Sequence, residues 1–110
     1  MLKKINRFQG NRALMSVVKK GQSTYDQNIK LKYIKNPNQA NSKFAVVVSK
    51  KVSKSAVVRN KIRRRIYHSL KSEIDTNKGL FVIFIYSDNF KSIKFNQLQT
   101  IIEGLFYKSR

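Results

Sequence analysis

The 110-residue chain contains no cysteine. Disulfides, thiolate-bound zinc and a cysteine nucleophile are therefore excluded together, as suits the cytoplasm. Acids are almost as scarce, with five Asp and Glu against 24 Lys and Arg, a formal net charge of +19. Through Ser72 the only acid is Asp26; Glu73, Asp75, Asp88 and Glu103 all fall in the last third. The sole histidine is His68. Hydrolysis by side chains alone would need an acid/base pair, a nucleophile with its base, or a metal cage. The carboxylates have no D-x-D or H-x-x-E spacing, and Glu73 and Asp75, two apart on a helix, point to different faces. Magnesium prefers carboxylates and phosphate oxygens, and a chain so poor in acids offers few of the former. A self-sufficient hydrolase is disfavoured. No apolar run reaches the roughly 18 residues of a membrane span, and MLKKINRFQGN lacks the apolar middle of a signal peptide. Repeats, linkers and low-complexity segments are missing too. What remains is one domain, residues 1–110, whose 41% hydrophobic content is too high for a disordered basic tail.

Hydrophobic spacing assigns the elements. Asn11 to Lys20 reads as a short helix capped by Asn11 and ended by Gly21, with Leu14, Val17 and Val18 at helical spacing. A further short strand fits near Thr24 to Gln27. Asn28 to Lys35 alternates, placing Ile29, Leu31 and Tyr33 on one strand face and Lys30 and Lys32 on the other. A loop around Pro37 follows. Phe44 to Ser49 is a β-branched run without alternation, expected as a central strand buried on both sides. From about Ser55 to Asp75, Val58, Ile62, Ile66, Leu70 and Ile74 recur every four residues, which predicts a long helix with Ser55 at its cap. Leu80 to Ser87 reads as another buried strand, and Phe95 to Lys108 as a closing amphipathic helix. The order α-β-β(-β)-α-β-α predicts an α+β, two-layer sandwich.

The segment SKKVSKSAVVRNKIRRRIYHSL, Ser49 to Leu70, carries the chemistry. It holds eight cations (Lys50, Lys51, Lys54, Arg59, Lys61, Arg63, Arg64, Arg65) with no acid between them. A surface helix ordinarily mixes both signs; one this one-sided repels itself unless a polyanion covers it. Arg59, Asn60, Arg63 and Arg64 fall on two adjacent helical rows. Their guanidinium forks match phosphate oxygens bidentately, and Asn60 can bridge phosphate, base edge or hydrated ion. The competing explanation is a solvated basic helix packed by its other face. RNA is favoured over DNA, since the chain has no recognition-helix pairing or dimer zipper. Phe8, Tyr25 and Tyr33 are candidates for stacking on bases.

Those residues carry a family likeness. VSKKVSKSAVVRNKIRRRIY, Val48 to Tyr67, resembles the signature of the protein subunit of bacterial ribonuclease P, with its S-K-K, A-V-x-R-N and basic steps in order. Asn6-Arg7-Phe8 is similar to that family's N-terminal N-R-L/F, and Lys19-Lys20-Gly21 to its K-x-G. The resemblance implies a split β-α-β domain with a left-handed crossover, monomeric in a one-to-one ribonucleoprotein with a catalytic RNA. That particle removes 5′ leaders from precursor tRNA using Mg2+ bound mainly by the RNA subunit and substrate. It further implies that Lys50, Lys51, Lys54, Arg59, Asn60, Lys61, Arg63, Arg64 and Arg65 face the RNA subunit, and that Asn6, Arg7 and Phe8 form an N-terminal RNA contact. A cleft of Leu14, Val18, Lys30, Lys32 and Tyr33 would hold the leader. Leu14 and Val18 stand where the family often has aromatics, and Ser53 and Ser55 where it often has glycine. No residue is expected to be catalytic or to ligate metal. The alternative from another class is a ribosomal or RNA-chaperone protein without an enzyme partner.

Overall fold

A computed structural model describes residues 3–8, 10–26, 29–86 and 95–109 of the chain. Gln27, Asn28, Ser87 and Asp88, named above, lie outside them. Strands β1 (Gln22–Asp26), β2 (Ile29–Lys35), β3 (Lys43–Val48) and β4 (Gly79–Ile85) form one sheet in the order β1-β2-β4-β3. β1 and β4 each pair antiparallel with β2, while β3 and β4 run parallel. Helices α1 (Arg12–Lys20), α2 (Ala56–Ser69) and α3 (Phe95–Lys108) complete the fold, and α2 makes the crossover that joins the parallel strands.

The alternation in β2 decides which side of the sheet becomes the core. Ile29, Leu31 and Tyr33 point to the face covered by α2 and α3, together with Phe81, Ile83 and Ile85 of β4 and Phe44, Val46 and Val48 of β3. Ile62 and Ile66 reach in from α2, Leu70 from the turn that follows it, and Leu98, Ile101, Ile102, Leu105 and Phe106 from α3. Phe44 and Phe81 stack at 5.2 Å, and Phe106 tilts against both. Each such side chain, fully withdrawn from water, contributes about 1.5–3 kcal/mol. On the opposite face Val82 and Val17 are also fully buried, outside that cluster, where α1 lies across β2 and β4. β4 is thus the strand covered from both sides.

β3 is not the central strand its run of valines predicts. It is an edge strand, and Val47 is 39% exposed. An unbroken apolar run shows only that water is scarce around a strand, not which neighbours exclude it. Here part of the cover comes from the N-terminal arm, where Arg7 bridges in parallel to Phe44. Asn11 precedes α1 without a side-chain cap; it is already helical, and its carbonyl accepts the Met15 N–H. Gly21 ends α1 through close approach: a Cβ there would stand 2.5 Å from the Val17 carbonyl oxygen and 3.0 Å from that of Tyr33. Ser55 caps α2 through a long 3.4 Å bond from the Val58 N–H. The helix stops at Ser69, before the expected Asp75, and tightens into a 3-10 turn over Leu70–Ser72. The four-residue apolar spacing persists through that turn, which is why it read as helix.

Candidate nucleic-acid interface

α2 divides its circumference as its spacing requires. Ile62, Ile66 and Ser69 are buried, while Asn60, Lys61 and Arg64 are exposed and Arg59, Arg63 and Arg65 are partly covered at the flanks. Its first turn contains no acid. The positive end of the helix dipole therefore adds to the cations of Lys54 and Arg59 rather than offsetting them. Arg59 donates from Nη1 to the Ser53 carbonyl at 2.8 Å, tying the approach loop to the helix. Arg63 donates from Nη1 to Oδ1 of Asn60. Asn60, Arg63, Arg64 and Tyr67 line a shallow recess of about 340 Å³. Two guanidinium groups, an amide and an aromatic edge share one concavity, matched to phosphate oxygens and a ribose or base beside them. Lys50, Lys51 and Lys54 are exposed in the loop that feeds the helix, where Ser49 Oγ and Ser53 Oγ accept the N–H groups of Lys51 and Ser55. Tyr67 was missed by charge counting; its place seven residues after Asn60 was the available signal.

The other layer holds a second basic surface. Lys30 and Lys32 lie on the α1 side of the sheet, half-buried. Lys32 donates from Nζ to the Val18 carbonyl at 2.5 Å, satisfying a carbonyl of the last turn of α1. Lys30 holds its ammonium 5.7 Å from the Tyr25 ring centre and 6.0 Å from that of Phe84. Leu14 and Val18 are partly buried on α1 beside fully buried Val17. Tyr33 does not join them. Its ring is stacked on Phe81 within the core, on the opposite sheet face from Lys30 and Lys32, and only 6% of the residue is exposed. Period-two alternation forces this, because odd and even positions of β2 cannot share a side. Sequence reading overlooked Phe84 and Val47. Their parity in β4 and β3 matches Lys30, but the strand register was needed to see it.

At the N-terminus the three expected contacts separate. Arg7 is exposed and Phe8 partly so, lining a recess of about 370 Å³ with Lys4 and Gly10. Asn6 turns inward instead: it is buried and donates from Nδ2 to the Ser42 carbonyl at 2.9 Å. Its place is in a buried polar chain. Ser42 Oγ donates to the Asn77 carbonyl and accepts the Gly79 N–H, and Asn77 Nδ2 donates to Oε2 of buried Glu73 at 2.8 Å. Asn6 therefore holds the arm so that Arg7 and Phe8 face outward.

Among the described residues no three His, Asp or Glu side chains gather closely enough to hold a metal ion. None of the described helices is long and apolar enough to cross a membrane. Fold and surfaces together define a small α+β module that carries basic side chains on both layers. Residues 2–110 match the family model described as Ribonuclease P. The ribonuclease P protein component of Bacillus pumilus is 32% identical over 115 residues, covering 98% of this chain and 91% of that protein. That of Bacillus cereus strain AH187 is 36% identical over 85 residues, covering 74% of this chain and 73% of the relative. In fold, the Staphylococcus aureus RNase P protein superposes with a TM-score of 0.80 at 22% identity, over 96% of this chain and 95% of that one. The protein from Thermotoga maritima gives 0.75 at 22% identity, over 90% and 93%. The chain belongs to the ribonuclease P protein family, whose members act in tRNA processing as the protein part of an endoribonuclease ribonucleoprotein.

Proposed function

We propose that the chain binds a catalytic ribonuclease P RNA through α2 and its approach loop, and holds the single-stranded 5′ leader of precursor tRNA between α1 and the sheet. The observation that carries this reading is the pairing of two phosphate-matching surfaces on separate layers with a dearth of groups able to hydrolyse phosphodiesters. Arg59, Asn60, Lys61, Arg63, Arg64 and Arg65, with Lys50, Lys51 and Lys54, neutralise RNA-subunit phosphates, and each neutralised phosphate releases a counterion. Arg7 and Phe8 extend this contact from the N-terminal arm. Lys30 and Lys32 flank the leader, with Leu14 and Val18 as its apolar wall; mature tRNA has no leader and forfeits those contacts. Cleavage belongs to the RNA, with Mg2+ held by RNA and substrate rather than by this chain. The particle contains one copy of the protein per RNA and works in the cytoplasm.

Reconstitution with the cognate RNA tests the proposal. The assembled particle is expected to cleave precursor tRNA at physiological magnesium, and highly purified protein alone to leave it intact. Cleavage by the protein without RNA would overturn the division of labour.

A further inference from the structure

One row of side chains crosses all four strands on the α1 face. The register aligns Tyr25 of β1 with Lys30 of β2, Lys30 with Phe84 of β4, and Phe84 with Val47 of β3. The next row toward α1 aligns Ser23, Lys32, Val82 and Ala45, and there Val82 is fully buried and Lys32 is bonded to the helix. The Tyr25 row is more open: Tyr25 is 56% exposed and Val47 39%. Large apolar side chains left in water on a sheet face, beside a cation, form an amphipathic surface. Lys30 provides that cation, its ammonium poised between two ring faces. The backbone under Tyr25 is pinned from the other layer, since Lys108 of α3 donates to its carbonyl at 3.0 Å. The ring therefore projects from a fixed strand end.

Aromatic rings interleaved with ammonium groups are the chemistry of single-stranded nucleic acid, in which bases stack on rings while phosphates meet cations. A peptide partner would want backbone hydrogen bonds along a sheet edge, whereas this surface is a row of side chains presented on the face of the sheet. The net charge of +19 favours the polyanion further. Helix α1 offers Leu14 and Val18, which have no ring to stack. Resting on the leader-cleft reading above, we infer that the base-stacking platform for the leader lies on the sheet, with one leader base on Tyr25 and its neighbouring phosphate on Lys30. Phe84 and Val47 floor the platform. Every base has a π face, so the platform senses the presence of a leader nucleotide more than its identity.

The test uses the reconstituted particle and measures affinity for precursor and mature tRNA side by side, with wild type, Tyr25→Ala, Tyr25→Phe and the double variant Lys30→Ala/Lys32→Ala. A second precursor series carries an abasic residue at one leader position at a time. Tyr25→Ala is expected to weaken precursor binding roughly 5- to 150-fold, the span of one base stack, and to leave mature tRNA unchanged. Tyr25→Phe keeps the ring and should bind like wild type. One abasic position should reproduce the loss in wild type and add nothing to Tyr25→Ala. If Tyr25→Ala binds precursor normally while the double lysine variant does not, the platform is refuted and the leader cleft stands. Normal binding by both variants refutes the cleft and the platform together. An equal loss for precursor and mature tRNA in Tyr25→Ala also overturns the inference.

Discussion

Ser42 joins three stretches of chain through one hydroxyl and one carbonyl: the arm at Asn6, the turn at Asn77 and the start of β4 at Gly79. Nothing local marks it, and Asn6 bonds it across 36 positions. The resemblance placed Asn6 against RNA as part of the Asn6-Arg7-Phe8 motif; its burial depends on a carbonyl no spacing rule locates. Ser42→Ala would remove an acceptor for the Gly79 N–H and a donor to Asn77 in a buried site. A loss of about 1–3 kcal/mol of stability is expected, read as a lower urea midpoint with an unchanged slope. Gly79 gives a sharper case. Its φ is +142°, and an added Cβ would be driven into the Ile34 carbonyl oxygen. Backbone strain alone should cost Gly79→Ala about 1–3 kcal/mol, with the overlap adding to it. A urea midpoint equal to wild type would show that the β2–β4 pairing shifts freely at this end.

Among the elements, α2 was the most legible. Four-residue apolar spacing assigned its buried stripe, Ser55 its cap, and the lack of acids its electrostatic character. Two features were not legible. The end at Ser69 depends on the 3-10 turn that redirects the chain toward β4, and the work of each arginine depends on its neighbours. Arg59 is bonded to the Ser53 carbonyl, whereas Arg64 is exposed. The two variants should therefore differ. Arg64→Ala is expected to weaken RNA-subunit binding by about 1–3 kcal/mol, the range for charged hydrogen bonds, and to leave the melting temperature within error. It should also lower the dependence of log affinity on log salt by roughly one unit. Arg59→Ala should produce the same change of slope plus a measurable fall in melting temperature, because the loop through Ser53 loses its tie. A fall in melting temperature for Arg64→Ala with an unaltered salt slope would mean the outer arginines serve the fold.

At the scale of the whole molecule, the sheet separates two basic surfaces. α2 and α3 cover one face, and α1 covers part of the other. The layered α+β architecture was readable because hydrophobic periodicity changes between 3.6 and 2 along the chain. Strand order was not, because parity says which face a residue takes but not which strand lies beside it. That gap moved β3 to the edge and hid the row from Tyr25 to Val47, whereas parity alone sets Tyr33 on the core face, away from Lys30 and Lys32. Separate layers predict separable defects. Lys30→Ala/Lys32→Ala should reduce the preference of the assembled particle for precursor over mature tRNA while assembly with the RNA subunit proceeds as in wild type. Arg63→Ala/Arg64→Ala should weaken assembly, and the particle that forms at saturating protein should keep the wild-type preference. Lys32 also bonds the end of α1, so the lysine variant is expected to lose some thermal stability. Assembly and selectivity are therefore compared at a temperature where both variants are folded by circular dichroism. Loss of assembly in the lysine variant, or loss of selectivity in the arginine variant, would show that the RNA and the leader share one surface and that the sheet divides nothing.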